Sequence, residues 1–290
     1  QDFYQLARER LRPGGVMCQW IQGYLMSSND FKSLVHTFLQ AFPRASLWEV
    51  SVGGDYLLIG MRDGWAQDYR SLRARAGSPA IRKDLAFVGL VDPVDLLGLF
   101  VMNEREMAAY AGRAPIHTDD NIHLEFSAPV SVYQPTQLVL LEELHPYRRT
   151  ALSLGLQWKG EKATLQEILT RIHQARQHTV FGMAQMQLGY GRQALEEFEQ
   201  AIALNPRDFQ ANYFLGDLAV TWGEHHLRQG MIGGAIDLYR RVLQANPRLA
   251  EVHYLLAQAY ETIGQKELAQ QAYREALRFN PAIKAQKTAR

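Results

Sequence analysis

Three proline stops in the last third of the chain constrain its fold more than any other feature. Asn205-Pro206, Asn246-Pro247 and Asn280-Pro281 each close a stretch, and the last two prolines are 34 residues apart. Counting back from each proline, the same residue types return. Twelve positions before it stand Ala194, Ala235 and Ala269; eight before, Phe198, Tyr239 and Tyr273; five before, Ala201, Val242 and Ala276. A pattern that recurs in three copies is an internal repeat. Each copy reads as two antiparallel helices, neither able to bury an apolar face alone. The small residue lets the second helix sit close to the first. The aromatic four positions on lies on the same helix face and fills the space beside it. The proline stops the helix. The first helix of each copy supplies a large–small pair: Phe181-Gly182, Leu215-Gly216 and Leu256-Ala257.

This pattern resembles the tetratricopeptide repeat family over residues 175–281. The resemblance implies a helical solenoid that binds a protein or peptide in a groove. The middle copy departs from the period. Pro206 and Pro247 are 41 residues apart, so seven are inserted, and they fall around residues 221–230. Seven residues are about two helical turns. Lengthening both helices of that hairpin by a turn would leave their facing sides unchanged.

Length and composition bound the rest. A chain of 290 residues favours about two domains. With 47% hydrophobic and 21% charged residues, it has enough apolar material for packed cores. The net charge of +1 gives no global field to recruit nucleic acid or an anionic membrane. The single cysteine, Cys18, excludes an intramolecular disulfide and a cysteine-based zinc site. No run of 18 apolar residues spans a bilayer. The chain opens on an amphipathic pattern, Phe3, Leu6, Ala7 and Leu11, with no signal peptide, and reads as the C-terminal part of a longer protein.

In chain order, residues 1–11 read as a helix ended by Arg12-Pro13-Gly14-Gly15. Residues 16–22 are short, apolar and flanked by glycine, which predicts a buried strand with Cys18 as an inert core residue. Ser27 to Asp30 form a helix start, followed by the stripe Phe31, Leu34, Val35, Phe38, Leu39 and Phe42. Residues 45–52 and 55–61 are strand-like runs joined at Gly53-Gly54, a hairpin signal. Short helical patterns follow over 66–75, 78–87, 93–100 and 104–110, with Asp92-Pro93 a good helix start. A further helix is expected over 135–145. The predicted organisation is therefore an α/β part over 1–65, a helical cover over 66–146, a linker and leading helix over 147–174, the repeats over 175–281 and a tail over 282–290. Lys284, Lys287 and Arg290 make that tail a solvated basic end.

The run LARERLRPGGVMCQWIQGYLMSSNDFKSLVHTFLQAFPRASLW, with IHTDDNIHLEFSAP at 116–129, resembles the late part of the spermidine synthase (polyamine aminopropyltransferase) family. The likeness covers roughly residues 1–133 and rests on the Pro-Gly-Gly turn, the QW-x-x-x-Y run and the TDD-x-x-x-LEF run. It implies the C-terminal half of a Rossmann-like methyltransferase domain. In the longer bacterial members a transporter-like membrane region lies upstream, which implies tethering at the cytoplasmic face. The resemblance further implies decarboxylated S-adenosylmethionine as cosubstrate. The family's glycine-rich loop, ribose-binding acid and catalytic Asp precede the part that this chain matches. Transfer chemistry is therefore not expected from these residues alone.

In open α/β sheets ligands sit beyond the carboxyl ends of strands. Gln19, Trp20, Gln22 and Tyr24 stand there and are the substrate-pocket candidates. The resemblance matches Gln19 to a pocket Gln, while Ile21 or Gln22 replaces a pocket Glu. An amide cannot neutralise an ammonium as a carboxylate does. The alternative is that Gln19 and Trp20 pack between sheet and helix. Asp119 and Asp120, with His117, His123 and Glu125 nearby, match no zinc spacing. They read as a polar turn that caps backbone amides, and the resemblance places this loop near the site mouth. Glu224, His225 and His226 read as a solvated helix surface, because adjacent helical residues point about 100° apart. Three functions are open at this stage. One is an aminopropyltransferase fragment carrying a protein-binding module. Another is a non-catalytic repeat scaffold with a structural Rossmann-like remnant. The third is a methyltransferase-type descendant using another cosubstrate.

Overall fold

The computed structural model describes residues 1–63, 68–121, 124, 125, 127, 131, 136–158, 160 and 162–283. His123, part of the LEF run and the basic tail lie outside the described residues. The chain divides into two compact units, Gln1–His173 and Gln174–Arg290. No helix among the described residues is long and apolar enough to cross a membrane.

The first unit opens with α1 (Asp2–Arg10) and β1 (Val16–Gln22), followed by α2 (Ser28–Ala41). Ser27 caps α2, its hydroxyl accepting from the Asp30 amide at 3.1 Å. The Gly53-Gly54 hairpin joins β2 (Ala45–Ser51) to β3 (Asp55–Met61) as the pattern predicts. The short helices α3 (Tyr69–Ala76), α4 (Pro79–Phe87) and α5 (Pro93–Leu97) follow. Asp92 caps α5 by accepting from the Val94 amide at 2.9 Å. The helix expected to run to residue 100 stops at Leu97, before Gly98. Phe100–Asn103 is instead a strand, β4, paired antiparallel with β2. Then come α6 (Glu104–Ala111) and α7 (Thr136–Leu144).

The described strands form one sheet in the order β1-β3-β2-β4, and every neighbouring pair is antiparallel. One face carries α2, whose Phe31 and Phe38, with Phe42 just past its end, are fully buried against Leu47, Tyr56 and Leu58. Each such ring contributes roughly 1.5–3 kcal/mol. Gly60 on β3 allows the close approach, since a Cβ there would stand 2.5 Å from the Phe42 ring. On the opposite face Trp48 and Phe100 pack with Val94, Leu97, Leu154 and Leu169.

β1 is an edge strand rather than a buried one. Ile21 is buried, whereas Val16 and Trp20 are nearly half exposed. Cys18 shares their side of the pleat and is exposed, not a core residue. An apolar run alone does not reveal which strand ends the sheet.

One buried ion pair ties this unit together across 99 positions. The Arg148 guanidinium donates two bonds to the Glu49 carboxylate, at 3.0 and 2.8 Å. Glu49 Oε1 also accepts from the Tyr56 hydroxyl at 2.8 Å and the Gly53 amide at 3.1 Å. Burial disfavours the Arg148 charge, but Glu49 outweighs it and raises the guanidinium's pKa.

The helix α8 (Lys162–Gln187) is unbroken across the position where a leading helix was expected to give way to the repeats. It is followed by α9 (Gly191–Leu204), α10 (Phe209–Arg228), α11 (Ile232–Ala245), α12 (Ala250–Thr262) and α13 (Lys266–Phe279). The second unit repeats itself at both kinds of turn. Within hairpins, Gly189, Gly230 and Gly264 each adopt positive φ, between 73° and 80°. Between hairpins, the side-chain oxygens of Asn205, Asn246 and Asn280 accept from the amide two residues on, at 3.2, 2.9 and 3.0 Å. The signature residues Ala194, Phe198, Ala235, Tyr239, Ala269 and Ala276 are buried as the pattern requires.

The seven extra residues do not lengthen both helices of the middle hairpin. α11 has 14 residues, like α9 and α13, whereas α10 has 20 against 13 for α12. The whole insertion is two turns of α10. It also changes which small residue meets the aromatic. A Cβ on Gly182 would lie 2.5 Å from the Phe198 ring, and one on Gly223 would lie 2.1 Å from the Tyr239 hydroxyl. A Cβ on Gly216 would meet only Leu249, at 3.8 Å. The large–small pair of the middle hairpin is thus Trp222-Gly223, not Leu215-Gly216. The sequence count missed this because two whole turns bring both pairs onto the same stripe.

Two stability predictions follow from these contacts. Glu49→Gln leaves a buried, uncompensated guanidinium and lowers stability by about 3–5 kcal/mol, read as a lower denaturant midpoint. Pairing Glu49→Leu with Arg148→Met recovers most of that loss. In the solenoid, Gly216→Ala gains helix propensity without a clash and raises stability by about 1 kcal/mol. Gly223→Ala forces a methyl into Tyr239 and lowers it by about 1–3 kcal/mol. Thermal melts of the two variants check the assignment, which fails if the signs are reversed.

Candidate functional site

Gln19 and Trp20 occupy successive positions on β1, so they point to opposite faces. The Gln19 amide donates to the Trp20 carbonyl at 2.7 Å, and the Trp20 indole donates to Asp55 Oδ1 at 3.0 Å. Gln22 lies opposite Asp55 in the β1–β3 register and is half-buried. Tyr24 is exposed in the turn after the strand. Beside it Gly23 is closely packed, and a Cβ there would stand 2.6 Å from Tyr56, 2.8 Å from Leu140 and 2.9 Å from the Gly53 carbonyl. The structure brings these four residues to one sheet edge, with Gln19 and Trp20 engaged on the strand itself.

Asp119 and Asp120 are exposed in a turn that Asn121 closes by donating to the Thr118 carbonyl at 3.1 Å. The Asp119 amide approaches Asp2 Oδ2 at 3.4 Å. Among the described residues no three of His, Cys, Asp and Glu converge as a metal-binding group.

A cavity of about 530 Å³ lies instead in the second unit. It sits beside the first two hairpin turns, where α9 begins, α10 ends and α11 begins. Its apolar floor is Leu195 and Leu238, both buried. Trp222 forms a wall, drawn close because Gly191 has no side chain; a Cβ there would stand 2.3 Å from the indole. His225 and His226 line the same cavity even though they are adjacent on α10. His226 is half-buried there, whereas Glu224 and His225 are exposed as a solvated helix surface requires. Its ring lies 5.9 Å from Trp222, and its Nδ1 is buried without a hydrogen-bond partner among the described residues. His225 is exposed and close to the Gln229 amide, at 3.0 Å.

Three charges face the cavity. Arg241 is held by Glu199 through two contacts of 2.7 Å, which raise the guanidinium's pKa. Arg192 and Asp237 are exposed and have no ion-pair partner among the described residues. Beneath Gly223, burial pushes the Tyr239 phenol up to about 12. The sequence marks this hairpin as irregular but does not reveal the cavity, whose lining comes from three helices. The one available signal was the second large–small pair, Trp222-Gly223.

Residues 179–223 and 220–282 match the tetratricopeptide repeat family model, so the second unit is a tetratricopeptide repeat solenoid. No curated protein matches the chain. Among solved structures, one described as the crystal structure of MamA is 15% identical, covering 72% of this chain and 98% of that one with a TM-score of 0.32. A second MamA structure is 20% identical over 53% and 80% of the two chains, with a TM-score of 0.27. YrrB, described as a TPR protein with an unusual peptide-binding site, is 16% identical over 76% and 92%, with a TM-score of 0.28. At these scores none of the three is a guide to what this chain binds.

Proposed function

We propose that the chain is a non-catalytic docking scaffold whose repeats hold a protein or peptide segment. The match of residues 179–282 to the tetratricopeptide family carries this reading. Exposed aromatic surface on the first helices of the first two hairpins supports it. Tyr213 on α10 is 68% exposed and Phe181 on α8 is 40% exposed. Large amphipathic rings at such positions give contact area at low entropic cost. In this reading the first unit is structural, and Gln19 and Trp20 serve the sheet edge. A photo-crosslinking residue at Tyr213 in the full chain is expected to capture a defined partner. The same group at Phe87, which is 92% exposed in the first unit, is expected not to. Equal capture at both positions would sink the scaffold reading.

A second reading, supported by one observation, is that the complete protein is an aminopropyltransferase. β1 and β2 both run antiparallel to β3, so they are parallel to each other and joined through α2. A crossover of that kind is what a Rossmann-like half-domain requires. The residues of this chain do not fit the cosubstrate, however. The turn after β1 is packed at Gly23 rather than open as a cradle, and the Asp55 carboxylate beside Trp20 is engaged by its indole. Decarboxylated S-adenosylmethionine and a diamine would need residues outside this chain, as would membrane tethering at the cytoplasmic face. Calorimetric titration of both compounds into the full-length protein tests this reading. Saturable heat is its expected result, and a flat trace at high protein concentration removes it.

A further inference from the structure

The cavity beside the first two hairpin turns is not the groove that a solenoid reading implies. Counted from the preceding prolines, α12 ends at Thr262, whose counterpart in α10 is Thr221. Counted instead from the hairpin-turn glycines, Trp222 takes the place of Phe181 and Leu256, so the cavity wall is the large member of the middle hairpin's large–small pair, and His225 and His226 follow it in the last two turns of α10.

Its chemistry is that of a side-chain pocket. The floor of Leu195 and Leu238 and the wall of Trp222 are apolar. Two further apolar side chains stand exposed at the rim, Tyr190 at 54% and Met231 at 42%. Exposed apolar groups around an apolar floor mark a contact surface rather than ordinary solvated surface. The charges specify more. Arg241 is already engaged by Glu199. Arg192 and Asp237 are not engaged by any described residue, and they present one cation and one anion beside the same apolar floor. His226 adds a buried nitrogen without a partner among the described residues, a group that usually has one in native structures.

We propose that this cavity is an edge-on docking pocket for a peptide segment. One large apolar side chain of the segment enters between Tyr190, Trp222 and Met231. An acidic residue on one side of it meets Arg192, and a basic residue on the other meets Asp237. The proposal deepens the scaffold reading and rests on it, and it commits the partner to a defined sequence chemistry.

The test uses the full chain, isotopically labelled, with the Trp222 indole resonance assigned through Trp222→Phe. Two capped peptides serve as probes, Glu-Ala-Phe-Ala-Lys and its reverse, Lys-Ala-Phe-Ala-Glu. One of them is expected to shift the Trp222 resonance saturably. Replacing its phenylalanine by alanine is expected to weaken binding at least tenfold. Arg192→Glu, a change at an exposed residue, is expected to weaken it about tenfold, and replacing the peptide's glutamate by lysine to restore affinity for that variant alone. Binding that leaves Trp222 unshifted, or that Arg192→Glu does not weaken, overturns the pocket. So does a failure of both peptides to bind. Crosslinking at Tyr213 reports on the scaffold reading separately, so loss of the pocket and loss of the scaffold are distinguishable.

Discussion

An aromatic ring seated where the facing helix has no Cβ is the contact on which the first two hairpins of the solenoid depend. Phe198 meets Gly182 in this way, and Tyr239 meets Gly223. Glycine inside a helix costs about 1 kcal/mol of propensity relative to alanine. The close packing it allows offsets that cost by letting a whole ring leave water. Other regularities of the unit follow from keeping this contact in place. A glycine of positive φ turns the chain seven residues later, and an asparagine followed by proline ends the second helix. The extra length of α10 respects the same contact, since it shifts the role of small partner from Gly216 to Gly223 without rotating the helix.

The first unit is held differently. Its sheet is small, and β4 contributes only four residues. Glu49 compensates by gathering Arg148, Tyr56 and the Gly53 amide around one carboxylate. That arrangement locks the β2–β3 turn to a segment far along the chain. A buried ion pair of this kind is weak evidence for net stability, yet breaking it from one side is costly. Its contribution is to fix which segment covers the sheet, beside the aromatic cluster of Phe31, Phe38 and Phe42.

What could be read in the sequence was local. Prolines, asparagine stops and small–aromatic spacings are decided within a turn or two, so the repeats and most helix limits were legible. So was the Gly53-Gly54 hairpin. Features fixed by distant partners were not. Phe100–Asn103 has no period of its own and becomes a strand only by pairing with β2. Cys18 is exposed because the face of β1 that it shares with Val16 and Trp20 is left uncovered, while Ile21 on the other face is buried, and its apolar neighbours do not encode which face that is. The Glu49–Arg148 pair joins residues 99 positions apart. The spacing from the proline points to Gly216 as the packed residue, because counting from a proline and counting from a hairpin turn give different answers in a lengthened helix. The candidate cavity was legible only as an irregular hairpin, since Arg192, Trp222 and Asp237 come from three helices.

The two added turns of α10 carry a consequence for how such a chain can change length. At about 100° per residue, seven residues return the apolar stripe to within about 20° of its starting direction. An addition of five would swing it by about 140° and face polar side chains into the stack. Length in this array is therefore quantised. Steps that preserve phase are silent to the core and free to build new surface, while intermediate steps are excluded by packing. A repeat protein governed by this rule can grow a pocket at one hairpin in a single event, with its neighbours left as they were.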